Sequence, residues 1–99
     1  MKRDPVERYI KKRMDSISVK KIRPLFLWCR CEKCHKEFRR ELMYHCSYLH
    51  YFWEHYFEYY GCSHCFQDKD EFVKWLQATG KLYTEDSLRK LCKKISSII

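Results

Sequence analysis

Two Cys-x-x-Cys pairs, Cys31/Cys34 and Cys62/Cys65, constrain this 99-residue chain more than any other feature. Two residues between cysteines let the backbone curl into a knuckle whose amides turn toward the sulfurs. Two knuckles can close a shell of four thiolates, the surrounding that structural zinc prefers. A single pair would also suit a redox dithiol, but two pairs separated by 27 residues suit a metal better. Free cysteines are often small buried apolar residues, yet that reading leaves the paired spacing unexplained. A shell made only of thiolates keeps no open coordination position, so such a metal holds structure and performs no chemistry. One structural Zn2+ on Cys31, Cys34, Cys62 and Cys65 is therefore expected.

The length fits a single domain over residues 1–99 with one modest core, which a metal would reinforce. Eight Tyr, six Phe and three Trp supply enough bulk for that core, so disorder is not expected. Seven cysteines is an odd number, and the chain opens Met1-Lys2-Arg3-Asp4 with no apolar signal segment. Both features favour an intracellular, reducing compartment, cytoplasm or nucleus, over a secreted disulfide scaffold. The aromatic stretch from Leu42 to Tyr60 is interrupted by Glu54, Glu58 and three histidines, so it is not a membrane span, and no membrane partner is expected.

The net charge of +8 is unevenly spread. Residues 1–23 hold nine Lys/Arg against three Asp/Glu, residues 24–66 five against five, and residues 67–99 seven against five. A basic end of this kind points to a polyanionic partner, most often nucleic acid, although a solvated helix face is also commonly charged.

Asp4-Pro5-Val6-Glu7 reads as a helix start, with Asp4 as cap, Pro5 in the first turn and Glu7 completing a capping box. Val6, Tyr9, Ile10, Met14 and Ile17 then recur at helical spacing, which predicts a basic amphipathic helix over about residues 5–17. After Pro24, Leu25-Phe26-Leu27-Trp28 reads as a buried strand leading into Cys29-Arg30-Cys31. Tyr44, Tyr48, Phe52, Tyr56 and Tyr60 repeat every four residues and predict a helix over about 41–59, ended by Gly61; a strand is the competing reading for residues 50–60. Asp68-x-x-Glu71 is a second capping box before Phe72, Trp75, Leu76 and Thr79, with Gly80 as the stop. A last helix opens at Thr84, with Leu88, Leu91, Cys92 and Ile95 as its apolar stripe.

The segment Cys31-Glu32-Lys33-Cys34-His35-Lys36-Glu37-Phe38-Arg39-Arg40 resembles the first knuckle of a zinc ribbon or treble clef. In that class a strand enters the knuckle, another leaves it, and an aromatic a few residues on packs beneath the metal, the position Phe38 holds. His35 departs from the pattern where a glycine is common. The resemblance covers about ten residues around each knuckle. It implies a small zinc-stabilised α+β fold, helix-rich, with a basic helical segment at 1–23, the zinc core at 24–66 and two helices in 67–99.

The remaining cysteines are unpaired. Cys92 lies on a helix face and suits the core; Cys29 stands outside the pairs, and its side chain is expected to turn away from the metal. His45, Cys46 and His50 are alternative ligands or the makings of a second site. His35 and His64 lie in or beside the knuckles and could also coordinate. Some ββα-metal nucleases frame their catalytic segment with two such cysteine pairs, and His45, His50 and His55 fall between the pairs here. Their catalytic metal needs further ligands, yet this chain has no Asn and no Asp between residues 16 and 67. With two glycines in all it also lacks a phosphate loop.

The expectation is therefore a non-enzymatic, nucleic-acid-binding or transcription-associated protein without a small-molecule substrate. Lys2, Arg3, Arg8, Lys11, Lys12, Arg13, Lys20, Lys21, Arg23, Arg39 and Arg40 would contact phosphates, with Arg30, Lys33 and Lys36 beside the first knuckle. The alternative is a small protein-interaction adaptor docking on a larger machine such as a polymerase, a build that small viral or phage regulators use. Surplus aromatics favour that alternative.

Overall fold

The computed structural model describes residues 4–98. The first helix, α1 (Pro5–Ser16), starts where the sequence places it: the Asp4 carboxylate accepts from the Val6 amide at 2.9 Å, with Pro5 in the first turn. Glu7 does not close a capping box. It instead receives the Arg89 guanidinium at 2.6 and 3.3 Å from a distant helix. The second helix, α2 (Lys69–Ala78), is capped by Asp68, which accepts from the Glu71 amide at 2.8 Å. At its end Gly80 adopts φ +78°, and the Gly80 and Lys81 amides donate to the carbonyls of Gln77 and Leu76. This pair of bonds needs a left-handed residue between them, which glycine supplies without strain. The third helix, α3 (Glu85–Ile98), opens with Thr84 and Ser87 exchanging side-chain-to-amide bonds of 2.7 and 3.1 Å.

Five strands complete the fold: β1 (Ser18–Ile22), β2 (Cys29–Arg30), β3 (Glu37–Phe38), β4 (Met43–Leu49) and β5 (Tyr56–Cys62). An antiparallel sheet runs β1-β4-β5, and β2 pairs with β3 in a separate short hairpin. The helix expected over 41–59 is instead the β4–β5 hairpin, in register from Met43↔Cys62 to Leu49↔Tyr56. A four-residue repeat does not distinguish the two states, because residues i and i+4 share a face in a strand as well as in a helix. Gly61 does not end a helix. It lies within β5, where a Cβ would meet the Phe66 and Phe72 rings at 2.7–2.8 Å. The buried strand expected over Leu25–Trp28 is a series of bends with all four side chains exposed, since β2 begins only at Cys29. Helices hold 36% of the chain, so the fold is mixed rather than helix-rich.

Alternation along the hairpin separates two environments. Tyr44, Cys46 and Tyr48 are buried; Tyr44 meets Phe72 of α2, and Tyr48 meets Tyr83 edge-on at 5.7 Å. Phe66, Leu76, Leu82 and Leu88 fill the same core. The buried Tyr83 hydroxyl lies 2.9 Å from the Arg13 carbonyl, 2.8 Å from the Leu49 carbonyl and 3.1 Å from Ser16 Oγ. Ser16 Oγ in turn accepts from the Leu49 amide at 3.0 Å, so one polar knot joins the end of α1 to the end of β4. Burial pushes the Tyr83 phenol above its ordinary range, which keeps it a neutral donor.

Candidate metal centre

Period-two alternation at the end of β5 builds the centre. Gly61 faces the Phe66 and Phe72 rings, so Cys62 faces the other way, toward the first knuckle. That knuckle hangs between β2 and β3. The Cys31 amide donates to the Lys36 carbonyl at 2.9 Å and the His35 amide to the Cys31 carbonyl at 2.9 Å. His35 sits at φ +62°, the left-handed conformation that makes glycine common at this point of such turns. The Glu32 amide donates to the Tyr60 carbonyl at 2.9 Å, which docks the knuckle on the outer edge of β5. The second knuckle turns on amides of Cys65 and Phe66 donating to the Cys62 carbonyl, each at 3.2 Å.

The result brings the four thiols of Cys31, Cys34, Cys62 and Cys65 within 4.8 Å of one another, from residues 31 to 65 of the chain. Cys34 Sγ and Cys62 Sγ are 3.8 Å apart. A tetrahedron with metal–sulfur bonds of about 2.3 Å has edges of about 3.8 Å, whereas a disulfide would need about 2.05 Å. Cys31 and Cys62 are fully buried, and Cys34 and Cys65 partly so. Four cysteines in this arrangement could hold one metal ion.

The electrostatics fit a cation. Burial opposes ionisation of Cys31, but amides of Cys34, Cys62 and Lys33 outweigh it and bring the thiol down to about 7. Burial raises Cys62, and burial with the neighbouring sulfurs pushes Cys65 up to about 12. One thiolate is thus favoured while its neighbours resist sharing the space; a divalent ion removes that repulsion.

The other candidate ligands lie elsewhere. Among the described residues no second group of three or more Cys, His, Asp or Glu donors comes together. Burial pushes the Cys46 thiol up to about 11, and its side chain is enclosed in the core. His45 Nε2 is 2.7 Å from Glu58 Oε2, and His50 Nδ1 accepts from the Phe52 amide at 3.2 Å. His64 stacks on Phe38 at 5.8 Å and lies 3.4 Å from Glu41. Cys29 packs beside Tyr60, and burial raises its thiol.

The basic residues divide. Arg8, Lys11, Lys20, Lys21, Arg23, Arg30, Lys33, Lys36, Arg39 and Arg40 are exposed. Lys12 is exposed but paired with Glu54 at 3.2 Å. Arg13 is buried: its guanidinium donates to the His50 and Tyr51 carbonyls at 3.2 and 3.3 Å and covers the Tyr9 ring at 4.6 Å. The signal was present in the sequence, because Arg13 lies three residues after Ile10 on the apolar stripe. Lys2 and Arg3 lie outside the described residues. Two features escaped sequence reasoning: the supporting role of Glu32 and Tyr60, and the exposed loop at 25–28.

Compared with known proteins, the chain matches no family model, no curated protein and no solved structure.

Proposed function

We propose that this is a zinc-stabilised, non-enzymatic protein that binds nucleic acid or serves a transcription-associated assembly. The observation that carries this reading is the distribution of exposed cations. Arg8 and Lys11 lie on the solvent side of α1, and Lys20, Lys21 and Arg23 line and follow the edge strand β1. Arg39 and Arg40 follow β3. Cations on an elongated body, 48 Å in its longest dimension, suit a polyanion that tracks along it. Four thiolates suit zinc, whose all-sulfur sites are closed and structural.

The test is titration of single- and double-stranded oligonucleotides at about 50 and about 200 mM salt. Binding is expected to weaken steeply with salt. Arg8→Gln with Lys11→Gln should lower the log–log salt slope by about one for each phosphate no longer neutralised. Arg13 is unsuitable for this series because its side chain supports the 50–51 turn. Absence of binding at low salt removes the reading. A second reading, a protein-interaction adaptor, is favoured by Phe52, Trp53, Tyr56 and Phe57, all exposed around the β4–β5 turn.

A further inference from the structure

Leu25, Phe26, Leu27 and Trp28 are consecutive, apolar and exposed at 54, 89, 75 and 60%. Four such residues in a row on the surface are costly in water unless something covers them. The loop is not loosely tethered. The Arg40 amide donates to the Pro24 carbonyl at 2.6 Å at one end, and at the other Cys29 enters β2 directly before the metal ligand Cys31. A rim of cations surrounds its base: Arg23 precedes Pro24, Arg40 adjoins it, Arg30 follows the loop, and the Arg39 guanidinium lies 5.3 Å from the Trp28 ring. Residues 20–41 carry eight Lys/Arg against three Glu, so this end of the molecule is strongly positive.

We propose that the 25–28 loop is an interfacial anchor that inserts into an anionic lipid surface, with the arginine rim on the headgroup phosphates. Nucleic acid offers phosphates and aromatic faces, but no hydrocarbon. Phe26 and Trp28 have rings that can stack; Leu25 and Leu27 do not, and they gain only where acyl chains lie beneath the anionic layer. Tryptophan and arginine at the base match the headgroup level, and the leucines and Phe26 reach past it. This contact lies on the surface, in keeping with the absence of any described helix long and apolar enough to cross a membrane. It shares Arg23, Arg39 and Arg40 with the nucleic-acid reading, and the Arg8/Lys11 pair of α1, far from the loop in sequence, tells the two apart.

The experiment is co-sedimentation of the full zinc-loaded chain with phosphatidylcholine vesicles containing about one-third phosphatidylserine, and with phosphatidylcholine alone. Binding is expected on the anionic vesicles and weak on the neutral ones. Phe26→Ser with Leu27→Ser, both solvent-facing and so compatible with the fold, should lower the partition coefficient by about tenfold or more. Arg39→Gln with Arg40→Gln should lower it by on the order of tenfold and flatten its salt dependence. Zinc content and the far-ultraviolet dichroism of each variant confirm that folding is unchanged. Failure to bind anionic vesicles at low salt overturns the proposal, as does binding indifferent to the Phe26/Leu27 pair. Loss of oligonucleotide binding in that pair, with vesicle binding unchanged, also overturns it and makes the loop a base-stacking surface. Oligonucleotide binding by the Arg8/Lys11 series stands or falls separately.

Discussion

The two sides of the β4–β5 hairpin are held by different physics. On one, Tyr44, Cys46, Tyr48, Phe66, Phe72, Leu76, Leu82, Tyr83 and Leu88 make an ordinary packed core beneath three capped helices. On the other, β2 and β3 are two residues each, and between them Lys33, His35 and Lys36 are exposed. The apolar residues buried there are fewer: Met43, opposite Cys62 in the hairpin, and Cys31 and Cys62 themselves, with Ile22, Cys29, Phe38 and Tyr60 partly covered. The core side packs many apolar side chains, whereas the knuckle side brings together four sulfurs that could hold a metal ion. With a metal bound there, the two sides would be stabilised by different means, each the one its composition allows.

Metal removal should separate the halves most sharply. Zinc–thiolate sites contribute on the order of 10 kcal/mol to folding, far more than the few contacts of the knuckle supply. Chelation, or Cys31→Ser, is expected to free the amides of residues 29–40 to exchange with solvent while most helical dichroism survives. If the helices melt together with the knuckle, the two sides are one cooperative unit and the contrast is wrong. A smaller effect should come from Tyr83→Phe, which strips the knot between α1 and β4. Leaving the Arg13 and Leu49 carbonyls without that donor should cost about 1–3 kcal/mol in denaturant unfolding. Zinc affinity, measured by competition with a chromogenic chelator, should not change, and a parallel drop would tie the centre to the core. The smallest change is expected from His35→Gly. The φ of +62° is strained for histidine, so glycine should relax the knuckle and raise stability by about 1 kcal/mol or less. A loss of stability would mean that the His35 ring contributes more than its backbone costs.

How far the sequence spoke differs between the two sides. All three helices were legible because their ends are written in local chemistry: Asp4-Pro5, Asp68 to Glu71, Thr84 and Gly80 each act within a few residues. The pairing of the four clustered cysteines was legible for the same reason, since Cys-x-x-Cys is a local geometry. The hairpin was not. Tyr44, Tyr48, Tyr56 and Tyr60 satisfy both periods, and the turn at 50–55 carries no Gly, Pro, Asn or Asp to mark it. Tertiary pairing decided the matter, and pairing cannot be seen in one segment alone. Arg13 and Glu7 illustrate the same boundary. Their partners, the 50–51 carbonyls and Arg89, are 37 to 82 residues away. The segment at 25–28 reads as buried because it is apolar, and composition alone does not reveal whether a strand lies beside it.

The back-to-back placement of Gly61 and Cys62 has a consequence for how this stretch can change over time. Each residue of β5 is assigned to its side by parity, so a single deletion or insertion between Tyr56 and Cys62 would slide a sulfur against the Phe66 and Phe72 rings and leave a hydrogen where Cys62 now meets the other three thiols. Substitutions at the exposed positions of the strand leave that parity intact. Its length does not share that freedom, and neighbouring turns are where indels would be tolerated.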